Sequence, residues 1–242
     1  MTWARRFDQL SLIALITAAF VVFGRAWLFD HPHYDPWAPL EIDDPPGWAT
    51  ARKLAGARAD PRVCRAVLAR SDIAFVALPP IGADACRRPD RLSLAAVPLG
   101  GARLKPEGAE ATCAVELGLV RWAEQTVQPA AKSQFGVAVD WIEHFGTFQC
   151  RHIANSRTGR WSEHATGNAI DVSAFVLADG RRIVVRSDWP QPDTPQGRFL
   201  RRVRDGACTE FGTVLSPDYN AAHFDHFHLD QEVRPMGWQV CD

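Results

Sequence analysis

The sequence predicts an α+β fold: a small antiparallel sheet with flanking helices, preceded by an N-terminal transmembrane helix. Three observations predict it. Alternating runs flank Asp179-Gly180 in AIDVSAFVLADGRRIVV, residues 169–185, the pattern of a hairpin closed by a tight primed turn. Leu200, Val203, Ala207 and Phe211 recur at helical spacing within QGRFLRRVRDGACTEFG, which marks one buried helix face. Finally, LSLIALITAAFVVFG, residues 10–24, carries no charge at all.

That last run follows Arg5 and Arg6 and is followed by Arg25 and AWLF. Counted through Phe29, with Arg25 snorkelling to the interface, about 20 residues are available, enough to cross a bilayer. The flank GRAWLFDHPHYDPW offers no small-x-small cleavage site, so an uncleaved signal anchor is expected rather than a cleaved signal peptide. The arginine pair before it places the N-terminus in the cytoplasm and residues from about 30 onward outside. The expected arrangement is an inner-membrane anchor, residues 1–29, with the rest of the chain in the periplasm. Residues 30–48, DHPHYDPWAPLEIDDPPGW, are rich in Pro and Asp and read as an extended linker. Residues 49–242 then form the main domain.

Within that domain, residues 62–108 hold PP, Gly-Gly and short apolar runs such as IAFVAL, the marks of short strands and loops. Val115, Leu119, Trp122 and Val127 predict a helix over 111–128, with Pro129 opening a new turn. VAVDWIEHF (137–145) alternates as a strand, and Ile170, Val172 and Ala174 share one face of the next, so Asp171 points to the other. Asp193 or Thr194 caps the helix that begins at Pro195. Near the C-terminus Phe227 and Leu229 alternate with His226, His228 and Asp230. That is a short strand with its histidines opposite the core.

Composition narrows the function. With 242 residues, 47% hydrophobic and 23% charged, the chain can bury a real core. A net charge of −1 provides no basic field for nucleic acid. Six cysteines, none in a CxxC, fit an oxidising, exported destination and three disulfides. Proximity along the chain pairs them as Cys64–Cys86, Cys113–Cys150 and Cys208–Cys241. No serine nucleophile elbow, phosphate loop or nucleotide-binding glycine pattern is present.

The chemistry concentrates in SEHATGNAID (162–171) and HFDHFHLD (223–230). Gly167-Asn168 breaks helical order just before a strand, so His164 is expected on a loop and Asp171 on the strand, with Gly167 letting the loop fold back. A catalytic zinc takes three protein ligands and keeps one position open. His164, Asp171 and one C-terminal histidine supply that set. A carboxylate or imidazole must handle the proton and a cation must stabilise an oxyanion.

These motifs resemble those of the LAS-class zinc peptidases, the D-alanyl-D-alanine carboxypeptidases and dipeptidases and the penicillin-insensitive murein endopeptidases. Ser162, His164, Gly167, Ala169 and Asp171 match SxHxxGxAxD, and Asp225, His226 and His228 match a DHxH block. The likeness covers about residues 137–241. Over its greater length the chain resembles bacterial extensin-like proteins, which have none of the Pro-rich repeats of plant wall extensins. The resemblance implies Zn2+ held by His164, Asp171 and His228. It implies Asp225 as general base with His226 close to the metal, and the strand reading leaves Asp225 and His226 both open for that role. Arg151 best matches the family's upstream arginine, ahead of Arg157 and Arg160. Ser162 orients the ligand loop or contacts substrate. His223 contacts substrate or supports the site, and Asn220 and Asp230 are further candidates for support. The implied function is hydrolysis of D-Ala bonds in peptidoglycan stem peptides, with cross-link cleavage favoured over terminal trimming. The alternative is a zinc-containing wall-binding module without turnover.

Overall fold

A computed structural model describes residues 3–94, 99–153 and 156–242. It has two parts: helix α1 (Trp3–Asp30) and a mixed α+β body. Arg6–Asp30 has a mean hydropathy of 2.1 and no part of its most apolar stretch is buried. It is long and apolar enough to cross a membrane, properties that membrane anchors and signal sequences share.

The body opens with two helices, α2 (Thr50–Ala59) and α3 (Pro61–Arg70). Helix α3 lies where short strands and loops were expected. The Asp60 carboxylate accepts from the Arg62 amide and Pro61 fills the first turn, a start signal that PP and Gly-Gly further along had masked. Strands β1 (Phe75–Leu78) and β2 (Arg91–Leu94) form a separate antiparallel pair. The main sheet takes β3 (Arg103–Lys105), β4 (Val139–His144), β5 (Ala169–Leu177), β6 (Arg182–Val184), β7 (Thr213–Leu215), β8 (Phe227–Asp230) and β9 (Val240–Cys241). Its order is β3-β4-β5-β8-β7-β9, with β6 also pairing β5. The centre is antiparallel as expected, and the hairpin turns at Gly180, φ 85°. Both edge strands, β3 and β9, join in parallel. Edges of two or three residues carry too little alternation to reveal their direction in the sequence.

One face of this sheet packs on a long helix, α4 (Cys113–Trp122), continued through a π-turn (Ala123–Val127) into α5 (Gln128–Phe135). It also packs on α7 (Pro195–Glu210), after the short α6 (Val185–Asp188). Thr194 caps α7, its hydroxyl accepting from the Gly197 amide at 3.0 Å. Trp122 sits at the centre, edge-on to Phe175 and Phe211, and its indole N–H donates to the Val203 carbonyl at 2.7 Å. Burying such aromatics without an unpaired N–H is the main driving term for this layer.

Residues 40–44 do not run free. Leu40 and Ile42 are buried, and the wholly buried Arg121 donates to the carbonyls of Glu41 (2.7 Å) and Ile42 (2.9 Å) while pairing with buried Glu210 at 2.8 Å. A buried guanidinium has five N–H groups to satisfy. This stretch of the Pro/Asp-rich segment supplies the carbonyls, which is why it docks instead of extending. The disulfides also differ from proximity pairing. Cys64 joins Cys113, tying α3 to α4, and Cys86 joins Cys150; only Cys208–Cys241 matches the expectation. Helix packing brings the Cα atoms of Cys64 and Cys113 to 6.0 Å across a separation of 49 residues, inside bridging range.

Candidate metal centre and cleft

Asp171 and His228 stand opposite one another in the β5–β8 ladder. Their neighbours Ile170, Val172, Phe227 and Leu229 are fully buried in the core. Alternation therefore turns Asp171 and His228 together to the other face. His164 arrives on a short 3-10 turn (Glu163–Thr166) whose first amides are capped by Ser162, and Gly167 closes it at φ 73°. The Arg88 guanidinium lies against Gly167, where a Cβ would sit 2.9 Å from Nε. Its far side faces the Phe148 ring at 4.9 Å. Cys86–Cys150 fastens the same two regions.

Three atoms converge: His164 Nε2, His228 Nδ1 and Asp171 Oδ1, separated by 3.1, 3.2 and 2.9 Å. The outer nitrogens decide what the inner atoms can be. His164 Nδ1 is 3.2 Å from the Thr147 carbonyl, which only accepts. His228 Nε2 is 3.1 Å from an Asp230 carboxylate oxygen. Both outer nitrogens therefore carry protons, and each imidazole, when neutral, presents a lone pair inward. Two lone pairs and a carboxylate oxygen repel unless a proton or a metal ion lies among them. Burial opposes a proton on His228, yet Asp171 and Asp230 outweigh it and raise its pKa to about 9. Burial likewise opposes ionisation of Asp171, but bonds and charge from His164 and His228 hold its carboxyl far below the usual carboxylate range. The same logic applies to Asp230, depressed against burial mainly by His228. Two imidazoles and one carboxylate with ordered outer partners fit zinc.

The triad opens into a cleft of about 490 Å³. One wall is a ribbon in which the Ser162 amide donates to the Arg151 carbonyl and the Ile153 amide to that of Arg160. The other carries Tyr219, Asn220 and His223. His226 Nε2 faces Asp171 at 3.5 Å while its Nδ1 is held by Asp225 at 2.9 Å. His223 bonds Asn220 through Nδ1 at 2.9 Å. Burial, with positive charge from His228 and His226, lowers its pKa to about 4.

A sequence model of the family described as "Extensin-like protein C-terminus" matches residues 62–242. The chain belongs to the extensin-like family. No curated protein and no solved structure matches it.

In this extensin-like chain the predicted site residues fall as follows. His164, Asp171 and His228 meet, and Arg151, Ser162, His223 and His226 line the same cleft. Asp225 reaches it through His226. The Ser162 hydroxyl is buried and accepts from the His164 amide at 3.3 Å, so it shapes the ligand turn. Arg160 also lines the cleft, paired with Glu232, whereas Arg157 is exposed and stands apart from the lining residues. Three participants had no signal in the sequence. The Thr147 carbonyl belongs to the backbone, Arg88 is one of many arginines, and Arg234 lines the cleft, paired with Glu232, from a stretch that no motif marks.

Proposed function

We propose that this chain is a zinc-dependent peptidase of the peptidoglycan layer, cleaving D-Ala bonds in stem peptides and cross-links. A single observation carries the reading: three acceptor atoms converge at 2.9–3.2 Å beside an imidazole that is not needed to hold a metal. The likeness of SEHATGNAID and DHFH to the LAS-class motifs supplies the substrate class. His164, Asp171 and His228 would hold the ion. Zinc, when bound, acts as a Lewis acid toward a carbonyl and makes water acidic near neutral pH.

The protein's own groups do the rest. Asp225 accepts from His226 Nδ1–H and so leaves Nε2 as the basic nitrogen facing the triad. This division favours His226 as proton acceptor and Asp225 as its orienting partner, the arrangement in which a carboxylate fixes an imidazole's tautomer. The same Nε2 can return the proton to the leaving amine. Arg151 lines the cleft beside His223 and offers positive charge to a developing oxyanion or a substrate carboxylate. His223, kept neutral, is free to hydrogen-bond substrate. The cleft is open and lined out to Val240 in β9, which suits a cross-linked chain better than a short terminus. The anchor α1 would hold the domain on the periplasmic side of the inner membrane.

The test is digestion of purified peptidoglycan with the purified protein, read by mass spectrometry, alongside a zinc assay and the His228→Ala variant. New muropeptide products that vanish in the variant support the peptidase. Stoichiometric zinc with unchanged muropeptides would instead establish a wall-binding module.

A further inference from the structure

We infer that residues 31–48 form a membrane-seated collar, with Trp37 and Trp48 placed in the phospholipid headgroup layer. The inference rests on the reading of α1 as a retained span and is independent of the peptidase chemistry.

The first observation is lack of slack. Helix α1 ends at Asp30, and by Pro32 the chain is already held: Lys53 Nζ donates to the Pro32 carbonyl at 2.7 Å and to that of Pro39 at 3.3 Å. Further on, Arg70 donates to the Leu40 carbonyl at 3.0 Å, and Arg121 holds Glu41 and Ile42. The body is thus fastened within two residues of the helix end. A domain so attached lies against the bilayer surface from which the helix emerges.

The second observation is what faces outward there. Trp27 stacks on His31 (4.5 Å) and on Tyr34 (5.3 Å), and Tyr34 packs on His33 (4.3 Å). These rings sheathe the point of exit. Trp37 follows three residues later, its amide donating to Asp35 at 2.9 Å, and is 73% exposed. Gly47 packs so closely on His33 that a Cβ would collide with its backbone. That contact brings the adjacent Trp48, 66% exposed, back to the same point. Two large indoles left bare beside the end of a span are poorly placed for water. An indole has an apolar body and a polar N–H, the combination that settles at the membrane–water boundary. The collar's acidic residues are partly neutralised from the body: Glu41 pairs with Arg70 at 3.0 Å, and Asp35 and Asp44 act on Lys53. The occupant is therefore the zwitterionic headgroup region of the bilayer that holds α1.

The test uses the full chain in vesicles of phosphatidylcholine brominated near the head of its acyl chains, with tryptophan emission as readout. Of the 9 tryptophans, Trp3 and Trp27 flank the span, and Trp37 and Trp48 join them under the collar arrangement. The Trp37→Phe/Trp48→Phe variant should then lose about half of the bromine-quenchable emission. Equal quenching in both proteins overturns the collar while leaving the span intact, because Trp27 remains quenched. Absence of quenching in both, with residues 1–30 missing by mass spectrometry, overturns the retained span and the collar together.

Discussion

Glu116 offers a test of the buried architecture that needs no assumption about the reaction. It lies in α4 with only 1% of its surface exposed, and one carboxylate oxygen has no partner. Burial pushes its carboxyl from 4.5 up to about 8, against a hydrogen bond from the Ala111 amide. Between those values the folded chain holds the proton more tightly than the unfolded chain does. The stabilising contribution is complete below about pH 4.5 and is lost progressively as pH rises toward 8. At about 1.36 kcal/mol per pH unit, ionisation of this group in the unfolded chain removes about 3 kcal/mol of stability by pH 7. Glu116→Gln keeps the shape and an acceptor for Ala111 but never ionises. Its stability should match wild type within about 1 kcal/mol at pH 5 and exceed it by about 3 kcal/mol at pH 7. Guanidinium denaturation of the detergent-solubilised protein, followed by tryptophan emission at several pH values, measures this directly. Parallel curves for the two proteins from pH 5 to 8 would refute the reasoning, because they would mean that Glu116 titrates alike in both states.

Three further outcomes are expected. Asp230→Ala removes the partner of His228 Nε2 and should weaken zinc binding by roughly 10–100-fold in a chelator competition. Gly167→Ala meets both a left-handed backbone at φ 73° and the Arg88 guanidinium, and should cost about 1–3 kcal/mol in thermal or chemical unfolding. Adding Arg88→Ala should relieve only the contact part of that cost. Arg121→Met strands a fully buried Glu210 and removes the Arg121 bonds to the carbonyls of Glu41, Ile42 and Asp44. It should destabilise by about 3–5 kcal/mol, and the double change with Glu210→Leu should recover most of the loss.

Much of this was legible in the sequence because it is locally periodic. The apolar N-terminal run, the Asp179-Gly180 hairpin, the Thr194 cap and the alternation of Phe227 and Leu229 with His228 each depend on near neighbours. The convergence of His164, Asp171 and His228 followed from two motifs whose strands pair. What escaped depends on distant packing. Cys64 meets Cys113 because α3 and α4 lie side by side, a fact that no spacing encodes. Leu40 and Ile42 dock because Arg121 needs acceptors 80 and 79 residues away. The proposed division of roles between Asp225 and His226 rests on the bond between them, which neither residue type announces in the sequence.

The cross-strand pairing of Asp171 with His228 has one further consequence, for how the chain reaches its native state. The two residues are 57 positions apart, yet face each other only in one alignment of β5 with β8. A slip by a single residue would set Phe227 or Leu229 against Asp171 and turn the imidazole inward among apolar side chains. Only the native alignment assembles a complete cation socket. An ion that bound these atoms while the protein folds would therefore reward that alignment over every shifted competitor, by mass action on the native form alone. In this role the metal would act as a proofreader of strand alignment before any substrate arrives.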